Sequence, residues 1–222
     1  MTPRAALTAA FAALGAALVA APAAATGTAD DPVRLTVSAP AVVALNAPVP
    51  IGVTVSSDPG AFDIAGAPVR LRVRLSPAEC RDTFATTSGP VAIDERLALP
   101  ARPSPAFTAT LSGRARPSAF GPAIVCAFVE EEGSNRLYAV DIDTQLTVSR
   151  ACTDATRRQA TVATALAAAR RGLGQARRAS TRAHQRRARN RARRRVRSLT
   201  RQVKSLTAAL GTAQLALTSA CA

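Results

Sequence analysis

The feature that most constrains the fold is the seventy-residue segment from Cys152 to Cys221, in which apolar residues recur at alternating spacings of three and four. That spacing forms the seam of a heptad repeat and predicts helices that pack side by side. The first seam consists of Val162, Leu166, Ala169, Leu173 and Ala176, and the second of Val196, Leu199, Val203, Leu206, Leu210, Ala213 and Leu217. The segment therefore predicts an antiparallel, coiled-coil-like hairpin of two helices.

The two cysteines favour one register for this hairpin. Folding the arms back pairs Val162 with Leu210 and Ala176 with Val196, and the residue numbers of each such pair sum to 372. The numbers of Cys152 and Cys221 sum to 373, so the register that aligns the seams also brings the thiols together. We predict a disulfide between them, which would stabilise the hairpin by about 4 kcal/mol in the chain-entropy model.

The same register places the tip of the hairpin near Arg186. The seam runs out there, and either the polar run 180–185 or Asn190 provides the turn. In the first arm, Gly172 and Gly174 cost about 1 kcal/mol each relative to alanine inside a helix. We nevertheless predict a continuous helix, because the apolar residue between the glycines stays on the seam.

The start of the first helix also has a signature. Thr153 and Asp154 follow Cys152, and both residue types favour a helix N-terminus. We predict that these two residues cap the first helix.

Residues 1–25 have the pattern of a secretory signal peptide. Arg4 supplies a positive charge, residues 5–20 are apolar, and residues 23–25 are three alanines suited to cleavage. Retention of this segment as an anchor is the alternative. The pattern predicts a protein that is secreted or held at the cell envelope.

The predicted export indicates that the cysteines form disulfides. The chain has four, an even number, and in an oxidising compartment this predicts two disulfides. Four cysteines allow three connectivities, and we favour Cys80 with Cys126 beside Cys152 with Cys221, because this choice keeps one bridge in each region. The spacing does not favour metal ligation, since the chain has no C-x-x-C motif.

Between residues 30 and 150 the apolar period changes to two, which is typical of β-strands. Val69, Leu71, Val73 and Leu75, for example, alternate with arginines. The candidate strands are 35–37, 51–55, 69–75, 91–99, 107–111, 124–129 and 138–148. Seven short strands in about 120 residues predict an antiparallel sandwich. The predicted organisation is a signal peptide at 1–25, a sandwich at 26–150 and a basic helical hairpin at 151–222.

Residues 123–130, Ala-Ile-Val-Cys-Ala-Phe-Val-Glu, are similar to the next-to-last strand of immunoglobulin-like or fibronectin-type-III-like domains of bacterial exported proteins. The resemblance covers about half of the chain and implies an Ig-like β-sandwich. Two features depart from it: the chain has no tryptophan, and Cys80 follows the third candidate strand. The antibody type of disulfide is therefore not implied. Taken whole, the chain also resembles uncharacterised secreted proteins, a likeness that implies no activity.

Charge is divided unequally between the two regions. Residues 29–150 hold 11 arginines and 13 acids, whereas residues 151–222 hold 16 arginines, Lys204 and the single acid Asp154. The densest part lies at the predicted tip. We expect an anion-binding set there, consisting of Arg186, Arg187, Arg189, Arg191, Arg193, Arg194 and Arg195. The alternative is a solvated face whose arginine content is compositional.

The sequence does not favour catalysis, and we expect neither an enzyme nor a cofactor. The only histidine, His184, lies among arginines, with no acid nearby in its helix to orient it as a base. A weaker alternative is a calcium site that combines Asp141 and Asp143 with the acidic run 130–132.

The partner most compatible with these features is an anionic cell-envelope polymer or lipid surface. Nucleic acid is disfavoured, because the chain is predicted to be exported and has no aromatic residue after Tyr138 to stack on bases. We therefore expect a non-enzymatic envelope-binding or adhesion module. The alternative is a protein-interaction or assembly module with the hairpin as a spacer or as a surface for self-association.

Overall fold

The structure, a computed structural model, describes residues 31–134, 136–182 and 185–222. Within these ranges nine strands precede two helices, which confirms the predicted class of β-sheets followed by a helical hairpin. The strands are β1 Val33–Ser38, β2 Val42–Val43, β3 Val49–Ser57, β4 Val69–Ser76, β5 Val91–Arg96, β6 Phe107–Ala115, β7 Gly121–Glu131, β8 Leu137–Asp141 and β9 Gln145–Val148. The helices are α1 Arg150–Arg182 and α2 Arg186–Ala220. The predicted signal peptide lies outside the described residues.

The strands form two sheets that pack as a β-sandwich. One sheet has three strands in the order β1-β3-β6, and the other has six, in the order β2-β9-β7-β4-β5 with β8 also paired to β7. The short pairing of β2 with β9 is parallel, and the other pairings are antiparallel. β7 is long enough to pair with β9 along its first residues and with β8 along its last.

The core lies between the sheets, where alternate side chains of the strands meet. In β4, Val69, Leu71, Val73 and Leu75 are at most 2% exposed. Each fully buried aliphatic side chain of this kind contributes about 1.5 to 3 kcal/mol. The alternating arginines of β4 lie on the outer face of the six-stranded sheet, so the period of two predicted the two faces of this strand correctly.

The prediction of one strand over 138–148 is wrong. The structure divides this segment into β8 and β9, and residues 142–144 connect them. In this connection the backbone amide of Asp143 donates a hydrogen bond to Oδ1 of the fully buried Asp141 at 3.2 Å, as in an Asx turn. The two-residue strand β2 also escaped prediction, because it is too short to show an alternation.

The hairpin follows the prediction closely. α1 continues through Gly172 and Gly174 and ends at Arg182, inside the predicted polar run, and α2 begins at Arg186, just after it. The alternative turn at Asn190 is wrong, because this residue lies inside α2.

Three of the predicted seam positions are buried, and the other buried residues in the described part of the hairpin are Cys152, Thr153 and Ala155 at its base. Leu166, Ala169 and Ala176 of α1 are buried, whereas α2 has only half-buried seam residues among its described positions. A Cβ atom built on Gly172 would lie 3.8 Å from the methyl carbons of Leu199, which shows how closely the arms approach. Because most seam residues are only half-buried, the hairpin buries much less apolar surface than the sandwich.

The capping prediction is wrong, because α1 begins at Arg150, ahead of Thr153 and Asp154. Ser149 follows β9 directly, and its Oγ accepts a hydrogen bond from the backbone amide of Cys152 at 3.3 Å. Ser149 therefore takes the N-cap position. Thr153 instead joins the two regions: its Oγ1 donates to the carbonyl of Ser149 at 2.7 Å and accepts from the amide of Leu45 at 2.8 Å.

Candidate anion-binding tip

The seven arginines predicted to bind anions lie in the first three turns of α2, and all of them are exposed. The helix continues to the tip because Ala188 and Ala192 extend the seam there, both half-buried. Alanine is the strongest helix former and is small enough to let the arms stay close. The arginines therefore project from a regular helix, which fixes their spacing along the chain.

Arg191 and Arg195 line a groove of about 300 Å³ between the two helices. The α1 side of the groove consists of Gln175, Ala176 and Ala179. Arg191 and Arg195 therefore lie on the face of the hairpin at which this groove opens.

α1 adds arginines that the predicted set omits. Arg177, Arg178 and Arg182 lie in its last two turns and are exposed. The antiparallel arrangement brings them alongside the first turns of α2. The signal was present in the sequence, because the register that pairs Ala176 with Val196 also places these arginines beside the predicted set.

No carboxylate belongs to the tip region of the sequence, since residues 155–222 contain neither aspartate nor glutamate. Like charges spaced three or four residues apart on a helix destabilise it by a few tenths of a kcal/mol per pair. The tip thus combines a high density of positive charge with helices whose own residues do not compensate it.

The outer face of the six-stranded sheet has a different arrangement, in which arginines lie beside carboxylates. Arg72 contacts Glu130 at 2.7 Å and Asp94 at 3.1 Å, and Arg70 contacts Asp94 at 2.9 Å and Glu132 at 3.0 Å. Burial by itself lowers the pKa of Arg72, but the hydrogen bonds and charges of Glu130 and Asp94 outweigh burial and raise the pKa above its usual value.

The acidic residues considered for calcium do not come together. Asp141 is buried, Asp143 lies in the turn after β8, and Glu130 and Glu132 pair with arginines. In the described part of the chain, no group of three or more His, Cys, Asp or Glu side chains is placed to share a metal ion.

Glu131 stabilises a turn of the sandwich. Its Oε1 accepts hydrogen bonds from the backbone amides of Gly66 and Ala67, both at 2.6 Å. Burial by itself raises the pKa of Glu131, but these amides and the charge of Arg136 outweigh burial and lower the pKa below its usual value. This carboxylate therefore belongs to the fold.

Both predicted disulfides are present, Cys80–Cys126 and Cys152–Cys221. The first joins the loop after β4 to the outer face of β7. It holds this loop so that Phe84 contacts Phe128 edge to face, with ring centroids 6.4 Å apart. The guanidinium of Arg74 lies 4.2 Å from the centre of the Phe84 ring, a cation–π contact. This bridge therefore fixes a loop to a sheet, whereas the antibody type joins the two sheets.

His184, the residue considered for catalysis, lies outside the described residues. Across the described ranges, the structure has no helix with an apolar stretch long enough to span a membrane.

The fold and the tip define a class of protein: a β-sandwich followed by a disulfide-closed, basic helical hairpin. No protein-family model matches the sequence, and no curated protein matches it significantly. Among solved structures, the chain is similar to the CARDB domain of the PF1109 protein from Pyrococcus furiosus, solved in complex with di-metal ions. The identity is 19%, the match covers 53% of this chain and 87% of that one, and the TM-score is 0.37. A β-glucosidase from Listeria innocua in complex with gluconolactone matches at 18% identity, over 53% of this chain and 16% of the enzyme, with a TM-score of 0.31.

Proposed function

We propose that this protein is an exported, non-enzymatic module that attaches to an anionic polymer of the cell envelope through the arginine-rich tip. The observation that carries the proposal is the row of exposed arginines in the first turns of α2, a helix whose sequence contains neither aspartate nor glutamate. An anionic polymer would neutralise this charge and release its own counterions, which favours binding at low salt.

The residues at the tip favour a surface contact without insertion. A helix that enters a lipid interface carries Trp, Phe or Leu beside its basic residues, whereas residues 175–195 are arginine, alanine and polar residues only. Arginine suits the contact because its planar guanidinium donates two parallel hydrogen bonds to a phosphate or carboxylate.

Two observations support export. Residues 1–25 have the charge, apolar length and small-residue end of a signal peptide. Both disulfides are intramolecular, and such bridges are typical of proteins that reside in oxidising compartments.

The proposal is tested by comparing two variants of equal charge. In one, the tip arginines Arg191, Arg193, Arg194 and Arg195 become glutamine, and in the other the basal arginines Arg157, Arg158, Arg170 and Arg171 become glutamine. All eight are exposed in the helices, and glutamine has a similar helix propensity. Binding of the oxidised protein to purified cell wall is measured over a salt series. We expect a large loss in the tip variant and a small one in the basal variant. Equal losses would contradict a localised site.

A second candidate function is assembly. Near the base of the hairpin, a groove of about 1030 Å³ lies between α1 and α2. Most of its lining is alanine and threonine, including Ala155, Thr161, Ala209, Ala213 and Ala216, and its charged residues are Asp154, Arg157 and Arg158. A further helix, from a second copy or another protein, would fit such small residues. Changing Ala209 and Ala216 to glutamine should then abolish self-association in sedimentation experiments while leaving cell-wall binding intact.

A further inference from the structure

Two pairs of arginines of α2 lie on flanks of the helix that face away from each other. Residues in an α-helix are rotated by about 100° from one to the next, so Arg193 and Arg197 are about 40° apart, as are Arg191 and Arg195. The same geometry places the centres of these two pairs about 160° apart. All four side chains are exposed.

The position of α1 shows which face of the hairpin each pair of arginines occupies. α1 packs on the seam side of α2, and Arg191 and Arg195 line the groove between the helices with Gln175 and Ala179. This pair therefore belongs to one face of the hairpin. Arg193 and Arg197, rotated by about 160°, belong to the opposite face.

A flat anionic surface cannot face both pairs at once: against one flank it leaves the other pair, and against Arg187 and Arg194, which the same rotation places between the flanks, it meets both pairs only at its edges. The arginines of the other face would remain uncompensated, and their mutual repulsion would be relieved only by salt. A flexible chain of phosphates has no such restriction, because it can cross the helix and present phosphates to both pairs. Within each pair the residues are four apart, about 6 Å along the axis, so each guanidinium can bind its own phosphate.

Building on the proposed function, we propose that the tip binds a flexible, linear phosphodiester polymer that contacts both faces of the hairpin, in preference to a lipid surface. Poly(glycerol phosphate) and phosphatidylglycerol vesicles offer the same phosphodiester chemistry and differ in geometry, one being a flexible chain and the other a plane. Comparing the binding of these two probes therefore tests the effect of geometry alone.

The experiment uses two matched double variants of the full chain, Arg191→Gln with Arg195→Gln and Arg193→Gln with Arg197→Gln. Each removes two charges at positions i and i+4 from the same stretch of α2. For poly(glycerol phosphate), we expect each pair to lower affinity by about tenfold at physiological salt, and the four changes together by about a hundredfold, as for the loss of two and four phosphate contacts. The unaltered chain should bind the vesicles more weakly.

A loss confined to one pair, or tighter binding to the vesicles than to the polymer, would overturn this inference and leave the proposed function standing. If the unaltered chain binds neither probe nor purified cell wall in a salt-sensitive manner, the proposed function fails as well. Circular dichroism of each variant checks that helix content is retained.

Discussion

Arginine stabilises the sandwich but destabilises the hairpin. On β4, arginines alternate with fully buried aliphatic residues, and Arg70 and Arg72 lie within 3.1 Å of carboxylates. On α2, exposed arginines follow one another on a helix that has no acidic residue. The comparison teaches that the same residue type contributes to the fold where the sheet supplies carboxylates, and opposes it on α2, whose own sequence holds no carboxylate to offset the charge.

The two regions also differ in what holds them together. The core of the sandwich lies between its two sheets and consists of side chains that are almost completely buried. The hairpin has a single seam, half-buried on the α2 side, and is closed by Cys152–Cys221 across a sequence separation of 69 residues. The bridge compensates for the small buried area, since closing a long loop removes entropy from the unfolded chain.

The largest expected effect comes from removing this bridge. We expect Cys152→Ser with Cys221→Ser to lower the free energy of unfolding of the hairpin by about 4 kcal/mol. Far-ultraviolet circular dichroism reports the helices, and the fluorescence of Tyr138, the only tyrosine of the chain, reports the sandwich. The helical transition should move to lower temperature while the Tyr138 transition stays in place.

The matched control is Cys80→Ser with Cys126→Ser, which should have the reverse effect on the two probes. If either variant shifts both transitions together, the sandwich and the hairpin unfold as one unit, and the contrast between them is wrong.

A smaller effect is expected from truncating leucines in the two cores. Leu71, fully buried in β4, should cost about 3 kcal/mol when changed to alanine, as is usual for a well-packed core. Leu206, half-buried on the seam, should cost about 1 kcal/mol. Denaturant unfolding followed by the same two probes measures both, and equal costs would show that the seam is as well packed as the sandwich.

Acid should weaken the sandwich through Glu131. Its pKa in the folded protein is lowered below the unfolded value of about 4.3, so its stabilising effect is complete above that pH and is lost as the pH falls through the folded pKa. Glu131→Gln should therefore lower the melting temperature at neutral pH, by less than Leu71→Ala does. The difference from the unaltered chain should shrink in acid.

Thermal unfolding followed by Tyr138 fluorescence over a pH series measures this effect. Glu95→Gln, which changes an exposed carboxylate of β5, is the control. A difference between Glu131→Gln and the unaltered chain that does not shrink as the pH falls would be inconsistent with the linkage.

The smallest expected effect is that of salt. Raising the ionic strength from about 0.01 M to about 1 M shortens the Debye length from about 30 Å to about 3 Å. Repulsion among the arginines of α2 is then screened, and the helical transition should move to higher temperature. The ion pairs of the sandwich are screened too, so the Tyr138 transition should stay constant or fall. A helical transition that also falls would mean that repulsion at the tip is negligible.

Much of the hairpin could be predicted because its determinants are local and repeated. The seam recurs along both arms, and Cys152 and Cys221 agree with its register. The division of 138–148 into β8 and β9 could not be predicted, because it depends on the length of β7, the strand with which both pair. The start of α1 was misplaced for a similar reason: Thr153 is engaged by Leu45, more than a hundred residues earlier in the chain.

The predicted set of arginines is only part of the positive charge at the tip. The arginines of α2 stand out by composition, whereas Arg177, Arg178 and Arg182 join them only when the hairpin closes. The two opposite faces of α2 depend on where α1 packs. That position is set by the packing of the two helices, and the number of arginines in the sequence does not reveal it.

The junction between β9 and α1 has a mechanical consequence. Ser149 alone separates the strand from the helix, and Thr153 ties the first turn to Leu45. A pulling force on a polymer bound at the tip would act along the axes of both helices. The force carried by α2 would pass through the disulfide between Cys152 and Cys221 to the base of α1. The tension would then enter the sandwich through β9, which pairs with both β7 and β2, and through the hydrogen bond between Thr153 and Leu45.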